Sequence, residues 1–279
     1  GDVIVSSCNF INNTALFGGA ISGNTVSVIK SNFTNNKASE NGGAIHSDNG
    51  VWVTNSNFNN NTATNGGAIY NGYGNVTVSG STFNDTTATD GAYGGDGGAI
   101  YSENNVTVTN SNFIKTTAGG DGGAINGGNV TVKNSNFIDN DVLGKGASIY
   151  AHGGLNVKDS NFNSPLADGT AIMHVVSYHN DDVSLTNNTI ISQLPAIENE
   201  GGRIVSPVKL TFNNANGVVG KNVVLTASLT DDNGNLIESS SPITGKINGA
   251  NVNFVYDSSS KKFVANYVPT VAGEFVISG

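Results

Sequence analysis

One cysteine, one tryptophan, one methionine and five prolines are all that this 279-residue chain contains of those types. The lone Cys8 has no partner for a disulfide within the chain. It stands where other repeats carry Ser31, Ser56 and Ser111, so it is expected as a packing residue. Only 12 residues are Lys or Arg, against 21 Asp or Glu, for a formal charge of −9. Nucleic-acid binding requires a basic face, and this composition cannot supply one. No apolar run approaches membrane-spanning length, and no segment keeps a helical apolar period for three turns. No secretory leader is expected within this sequence. Gly1 begins almost directly on a strand, without the polar cap that stacked repeats need. The chain is therefore expected to be an excised or processed piece of a longer protein.

What the chain has is glycine, asparagine, threonine and serine, arranged in a repeat. Gly-Gly-Ala-Ile recurs at 18–21, 42–45, 66–69, 97–100 and 122–125. Phenylalanines 10, 33, 58, 83, 113, 137 and 162 each follow an apolar residue by seven positions, from Val3 and Val26 through to Val130 and Leu155. Val183 and Ile190 continue the series as an eighth, worn copy. A second series reads Ile21, Ile45, Ile69, Ile100, Ile125, Ile149, Ile172 and Ile197. A repeat of this length cannot bury its own apolar face, but stacked copies can.

Val-Thr-Val segments such as 76–78 and 106–108 alternate like half-buried strands. Asn-Ser-Asn corners, a second strand at Phe and a third after the glycine bend follow. Three short strands per turn predict an all-β, right-handed parallel β-helix of about eight rungs. At the inter-strand spacing it would be a rod roughly 40 Å long. Phe, Ile and two Val columns point inward. Asn9, Asn32, Asn57, Asn112, Asn136 and Asn161 form a corner column whose amides can satisfy one another.

The pattern ends near Gly201-Gly202. Period-two runs then appear at 208–212, 223–229, 252–256, 263–268 and 275–277, separated by turns such as Asp232-Asn233-Gly234. The expected division is a β-helix over 1–204 and a small Ig-like β-sandwich over 205–279, with Tyr267 as a candidate tyrosine corner.

Gly-Gly-Ala-Ile paired with Phe-x-x-Asn (Phe10/Asn13, Phe33/Asn36, Phe58/Asn61, Phe137/Asn140) resembles the repeat of the chlamydial polymorphic membrane proteins. The whole chain is similar to the adhesin-like surface proteins of methanogenic archaea, which join such repeats to Ig-like domains. Thr86, Thr116 and Pro165 replace the Asn. Residues 145–149 and 169–172 degrade the glycine motif, as drift towards the domain boundary would. The resemblance implies an extracellular protein of the cell surface or cell wall, attached to glycans or proteins of another cell. End-to-end self-association through the uncapped end is a further partner expectation. Nucleic acid and direct membrane insertion are not expected.

Columns sharpen the search for sites. The residue after each buried Ile is expected to point outward: Ser22, His46, Tyr70, Tyr101, Asn126, Tyr150 and Met173. His46, Tyr70 and Tyr101 then stack on consecutive rungs, with Tyr93 nearby in the six-residue insertion of the fourth rung. Such a strip is the candidate ligand-binding face. The plainer account, cross-strand pairing that stabilises the sheet, carries more weight. Asp96 and Asp121 fall one rung apart and are weak Ca²⁺ candidates. That ion wants six or more oxygens, and Lys145 offers Asp121 and Asp168 a simpler partner, so no cofactor is expected.

His174, His179, Asp181 and Asp182 read as a solvated loop rather than a metal site. Trp52 replaces an outward Thr or Ser and is weak support for a contact. Sequons at Asn12, Asn32, Asn60, Asn75, Asn84, Asn105, Asn129 and Asn187 permit N-glycosylation without demonstrating it. Lys209 and Lys221 are candidate donors for an isopeptide crosslink, with exposed lysines the default.

Parallel β-helices also host polysaccharide lyases and hydrolases, which need converging carboxylates or an acidic cluster with a basic acceptor. Acidic residues are sparse here, and the only arginine, Arg203, lies at the end of the repeats. The expected order is adhesin or stalk, then passive spacer or filament subunit, then a carbohydrate-active enzyme, with no catalytic residue assigned.

Overall fold

The computed structural model describes residues 1–89, 94–247 and 250–278, and throughout them the regular structure is strand. Residues 1–204 wind into a parallel β-solenoid of about eight turns, as the repeat predicts. The seven-residue interval holds throughout. Val3, Val26, Val51, Val76, Val106, Val130, Leu155 and Val183 pair in one unbroken register. The Phe column from Phe10 to Phe162 does the same and ends on Ile190.

The phenylalanine rings lie 4.6 to 4.9 Å apart with interplanar angles of 2 to 9°. At that separation near-parallel rings are offset-stacked, a favoured aromatic arrangement. Each fully buried ring contributes about 1.5–3 kcal/mol by area alone.

Six of the turns carry one strand beyond the expected Val, Phe and Ile segments. The additional one is a two-residue segment, Thr14–Ala15, Lys37–Ala38, Thr62–Ala63, Thr87–Ala88, Thr117–Ala118 and Asp141–Val142, which forms its own six-stranded sheet. Its second residue packs inward, from Ala38 to Val142. Two residues with a small apolar side chain are too short to show a period, so the sequence pattern hid them.

Polar ladders close the corners. The Asn32 amide donates to Asn9 at 2.9 Å, Asn57 to Asn32 at 3.0 Å, Asn136 to Asn112 at 2.8 Å and Asn161 to Asn136 at 2.9 Å. Thr82, between Asn57 and Asn112, interrupts this expected column. A second ladder is buried. The backbone N–H and the amide of Asn36 both reach Asn61 Oδ1 at 3.0 Å, and the Asn61 amide donates to the Phe33 carbonyl. In a third, each serine hydroxyl from Ser31 to Ser160 donates to the carbonyl two residues earlier and accepts the N–H of the preceding rung. Cys8 begins this column. It is free and exposed, not packed inside, because it lies on the first rung.

The two glycines of the motif have separate reasons. Gly42, Gly66 and Gly97 turn the chain at φ of 69, 60 and 66°, a conformation that disfavours a Cβ. Gly43 and Gly67 lie against the next turn: an added Cβ would sit 2.0 and 2.2 Å from the carbonyl oxygens of Gly67 and Gly98.

One register expectation fails. Ile149 pairs with Met173, and Met173 with Ile197, so Met173 takes the buried column and Ile172 falls one place earlier, among the alanines. The loop before it lacks the double glycine, and the turn closes with a different length.

After the solenoid, Lys209–Phe212, Val223–Thr230, Ile243–Ile247, Ala250–Asp257, Lys262–Tyr267 and Ile277–Ser278 form an antiparallel sheet. Tyr267 packs edge-on against Phe275 at 6.1 Å. One segment of this region returns to the solenoid: Ile237–Ser239 pairs in parallel with Ile197–Asn199 and covers the last isoleucine strand.

Two substitutions test the ladders. Phe83→Ala removes a fully buried ring from mid-stack and is expected to cost about 3–5 kcal/mol in chemical unfolding, while Phe10→Ala at the half-exposed end costs less. Thr86 replaces the buried Asn, and its hydroxyl has no hydrogen-bond partner. Thr86→Asn should therefore stabilise the chain by about 1 kcal/mol. A lowered unfolding midpoint would count against the ladder as a source of stability.

Candidate functional site

The outward column beside the isoleucines is continuous along the solenoid. It reads Ser22, His46, Tyr70, Tyr101, Asn126, Tyr150, His174, Glu198 and Glu238. The register shift at Met173 puts His174, not Met173, in this column. His174 is therefore on strand Met173–Val176 and fully buried, where a solvated loop was expected.

His46, Tyr70 and Tyr101 do stack: the ring centroids are 5.2 and 5.1 Å apart, with interplanar angles of 5 and 4°. Phe17 leans on His46 at 5.2 Å and 48°. The faces of Tyr70 are thus turned to its two neighbours, and what the strip offers outward is ring edges and hydroxyls. A sugar lying flat on the Tyr70 ring has no face to meet. Tyr93 lies outside the described residues. Burial holds the His46 imidazole below its ordinary pKa. It raises the Tyr70 phenol, with Glu103 adding to the effect. Tyr101 is pushed up to about 12, first by burial and then by Tyr70 and Glu103.

The column at the glycine corner solves its like-charge problem with backbone. Asp96 Oδ1 accepts the N–H of Asp121 at 2.6 Å, and Asp121 Oδ1 accepts the N–H of Lys145 at 2.7 Å. Asn65 does the same for Asp96 at 3.1 Å. Burial raises the Asp96 carboxyl, opposed by the Asp121 N–H. The ammonium of Lys145 does not take the expected partners: it lies 3.0 Å from Glu200 Oε1. The N–H of exposed Asp168 donates to Asp141.

The column's far end gathers unlike groups. Tyr150 stacks on His174 at 5.1 Å and meets His152 edge-on at 4.8 Å. Burial pushes the Tyr150 phenol up to about 12, with Asp121 and Glu200 adding to it. His152 Nε2 is 3.0 Å from Asn126 Oδ1. His174 Nδ1 is 3.1 Å from Glu198 Oε2, and Nε2 is 3.3 Å from Glu200 Oε1 and 3.5 Å from Lys145 Nζ. Burial lowers the His174 pKa against the pull of Glu198. Either neutral tautomer donates to one of these carboxylates, from Nδ1 to Glu198 or from Nε2 to Glu200. The sequence placed Tyr150 in this column, but the isoleucine count put Met173 where His174 stands.

The other sequence candidates stay apart. His179 is exposed, Asp181 binds Ser177, and Asp182 pairs with Arg203 at 2.8 Å. Trp52 stands outward between Ser27 and Thr77, nearly half exposed. Among the sequons, the amide nitrogens of Asn32, Asn60, Asn84, Asn129 and Asn187 donate within ladders. Lys209 and Lys221 are exposed.

Two stretches, residues 30–48 and 55–72, match the Chlamydia polymorphic membrane protein (Chlamydia_PMP) repeat. They fall on consecutive turns and include His46 and Tyr70. No curated protein and no solved structure shows significant similarity to this chain.

The raised phenols have a measurable consequence. A phenol with a folded pKa of about 12, against an ordinary 10, holds its proton more tightly in the folded state. Its contribution to stability is complete below pH 10 and is lost as pH rises from 10 to 12. Absorbance titration should show late-ionising tyrosines, and Tyr101→Phe/Tyr150→Phe should remove them. Ionisation of all tyrosines near pH 10 in the folded chain would contradict the burial.

Proposed function

We propose that this chain is the β-helix portion of a cell-surface, adhesin-like protein, with its C-terminal sheet serving as an Ig-like module. The observation that carries the reading is the surface-protein repeat, matched on the same turns that display the aromatic column. A stiff rod presenting one continuous polar-aromatic face suits attachment to glycans or proteins of another cell. Supporting the Ig-like part, Phe212 on the edge strand meets Phe254 at 5.2 Å, so the antiparallel sheet folds over on itself. In this reading the site has no catalytic role, and its location is extracellular. Tyr70 and Tyr101 contribute hydroxyls and ring edges, with Asp48 and Glu103 beside them.

A second reading, a passive spacer, has its own support: the aromatic faces are used by the rod itself. Binding to a glycan array and to cells separates the two. The adhesin reading expects a ligand whose affinity falls at least about tenfold in Tyr70→Ala/Tyr101→Ala, as loss of an aromatic anchor does. Unchanged binding would remove this face, and no binding to array or cells would favour the spacer.

A further inference from the structure

The densest unlike chemistry on the chain lies where the last turns meet Ile237–Ser239. Among the described residues, one group brings three ligand atoms of metal-binding type within 4.8 Å of one another: His174, Glu198 and Glu200. His174 is fully buried, and its two nitrogens face the two carboxylates. Glu238, in register with Glu198 on the neighbouring strand, is a third carboxylate on the same face. It is only 8 % exposed, and its Oε1 has no hydrogen-bond partner. The Tyr256 hydroxyl lies beside this carboxylate, and burial followed by the contact with Glu238 raises its pKa. A buried carboxylate raises the negative charge that this end of the rod must offset.

The carboxylates of Glu200, Glu198 and Asp121 act on one ammonium, that of Lys145. Lys145 Nζ stands 3.0 Å from Glu200 and 3.5 Å from His174 Nε2, where a ligated ion would sit. The ammonium is replaceable: its side chain is 40 % exposed on a flexible stem.

We propose that His174, Glu198 and Glu200 form a divalent transition-metal site, gated by Lys145, at the end of the rod where Ile237–Ser239 docks. Ligands shared by one ion at about 2.0–2.2 Å lie within about 4 Å of each other, so small side-chain movements close the set. An imidazole with carboxylates suits Zn²⁺ and its neighbours, whereas Ca²⁺ prefers an all-oxygen shell of six or more. The bound ion offsets the carboxylate excess and ties strand Met173–Val176 to strand Ile197–Glu200. The site is independent of the aromatic strip, so adhesion and metal binding fail or survive separately.

Zn²⁺ titration of the full chain by calorimetry, with a parallel melting curve, tests this. The expected result is one Zn²⁺ per chain, a raised melting temperature and no comparable effect of Ca²⁺. Lys145→Ala should bind Zn²⁺ more tightly, and Glu200→Gln, a substitution at a half-exposed side chain, should weaken binding by about tenfold or more. His174→Ala should abolish it, and because that variant risks misfolding, Glu200→Gln is the deciding one. The proposal is overturned if the wild-type chain binds no Zn²⁺, if Glu200→Gln leaves binding unchanged, or if Ca²⁺ binds equally well.

Discussion

In-register parallel stacking is the constraint from which the rest follows. Once each turn lies directly on the last, every side chain spends its life against the next member of its own column, one inter-strand spacing away. The composition is the set of residues that tolerate their own kind. Flat phenylalanine rings stack at 4.6 to 4.9 Å. Carboxamides are both donor and acceptor and form ladders. Serine relays a bond to its own backbone and takes one from its neighbour. Like charges repel in such a column, which is why only 12 % of residues are charged.

The same constraint explains what was legible in the sequence. A column is a periodic string, so the Val–Phe interval, the corner asparagines and the outward His46, Tyr70 and Tyr101 could be read without coordinates. The Phe-x-x-Asn pairing could be read too, although its role as a buried acceptor ladder depends on the turn geometry that brings Asn36 and Asn61 together. Asparagines at these corners also tolerate the left-handed backbone: Asn12, Asn35, Asn55, Asn60 and Asn110 all have φ between 50 and 58°.

What stayed hidden was hidden for physical reasons. The additional strands are two residues long and bury one small side chain each, an alanine or Val142, so they leave no hydrophobic period. The displacement at Met173 arises in a loop without the double glycine, where counting from the previous phenylalanine no longer fixes the register. Ile237–Ser239 lies among turn residues far along the chain. Its place beside Ile197–Asn199 is a non-local pairing that no local pattern encodes.

A regular repeat also limits what chemistry the rod can perform. Identical residues at identical positions give homogeneous ladders, and a homogeneous ladder satisfies itself. The tyrosines turn their faces to one another, the amides bond rung to rung, and Asp96 and Asp121 are absorbed by backbone N–H groups. Converging groups of different kinds arise only where the columns stop matching. Within the outward column that point is the stretch from Tyr150 through His174 to Glu198 and Glu238, where aromatic gives way to imidazole and imidazole to carboxylate. The decay of the repeat towards the C-terminal sheet, which costs the sequence its clarity, is what lets an imidazole, an ammonium and carboxylates of different turns meet.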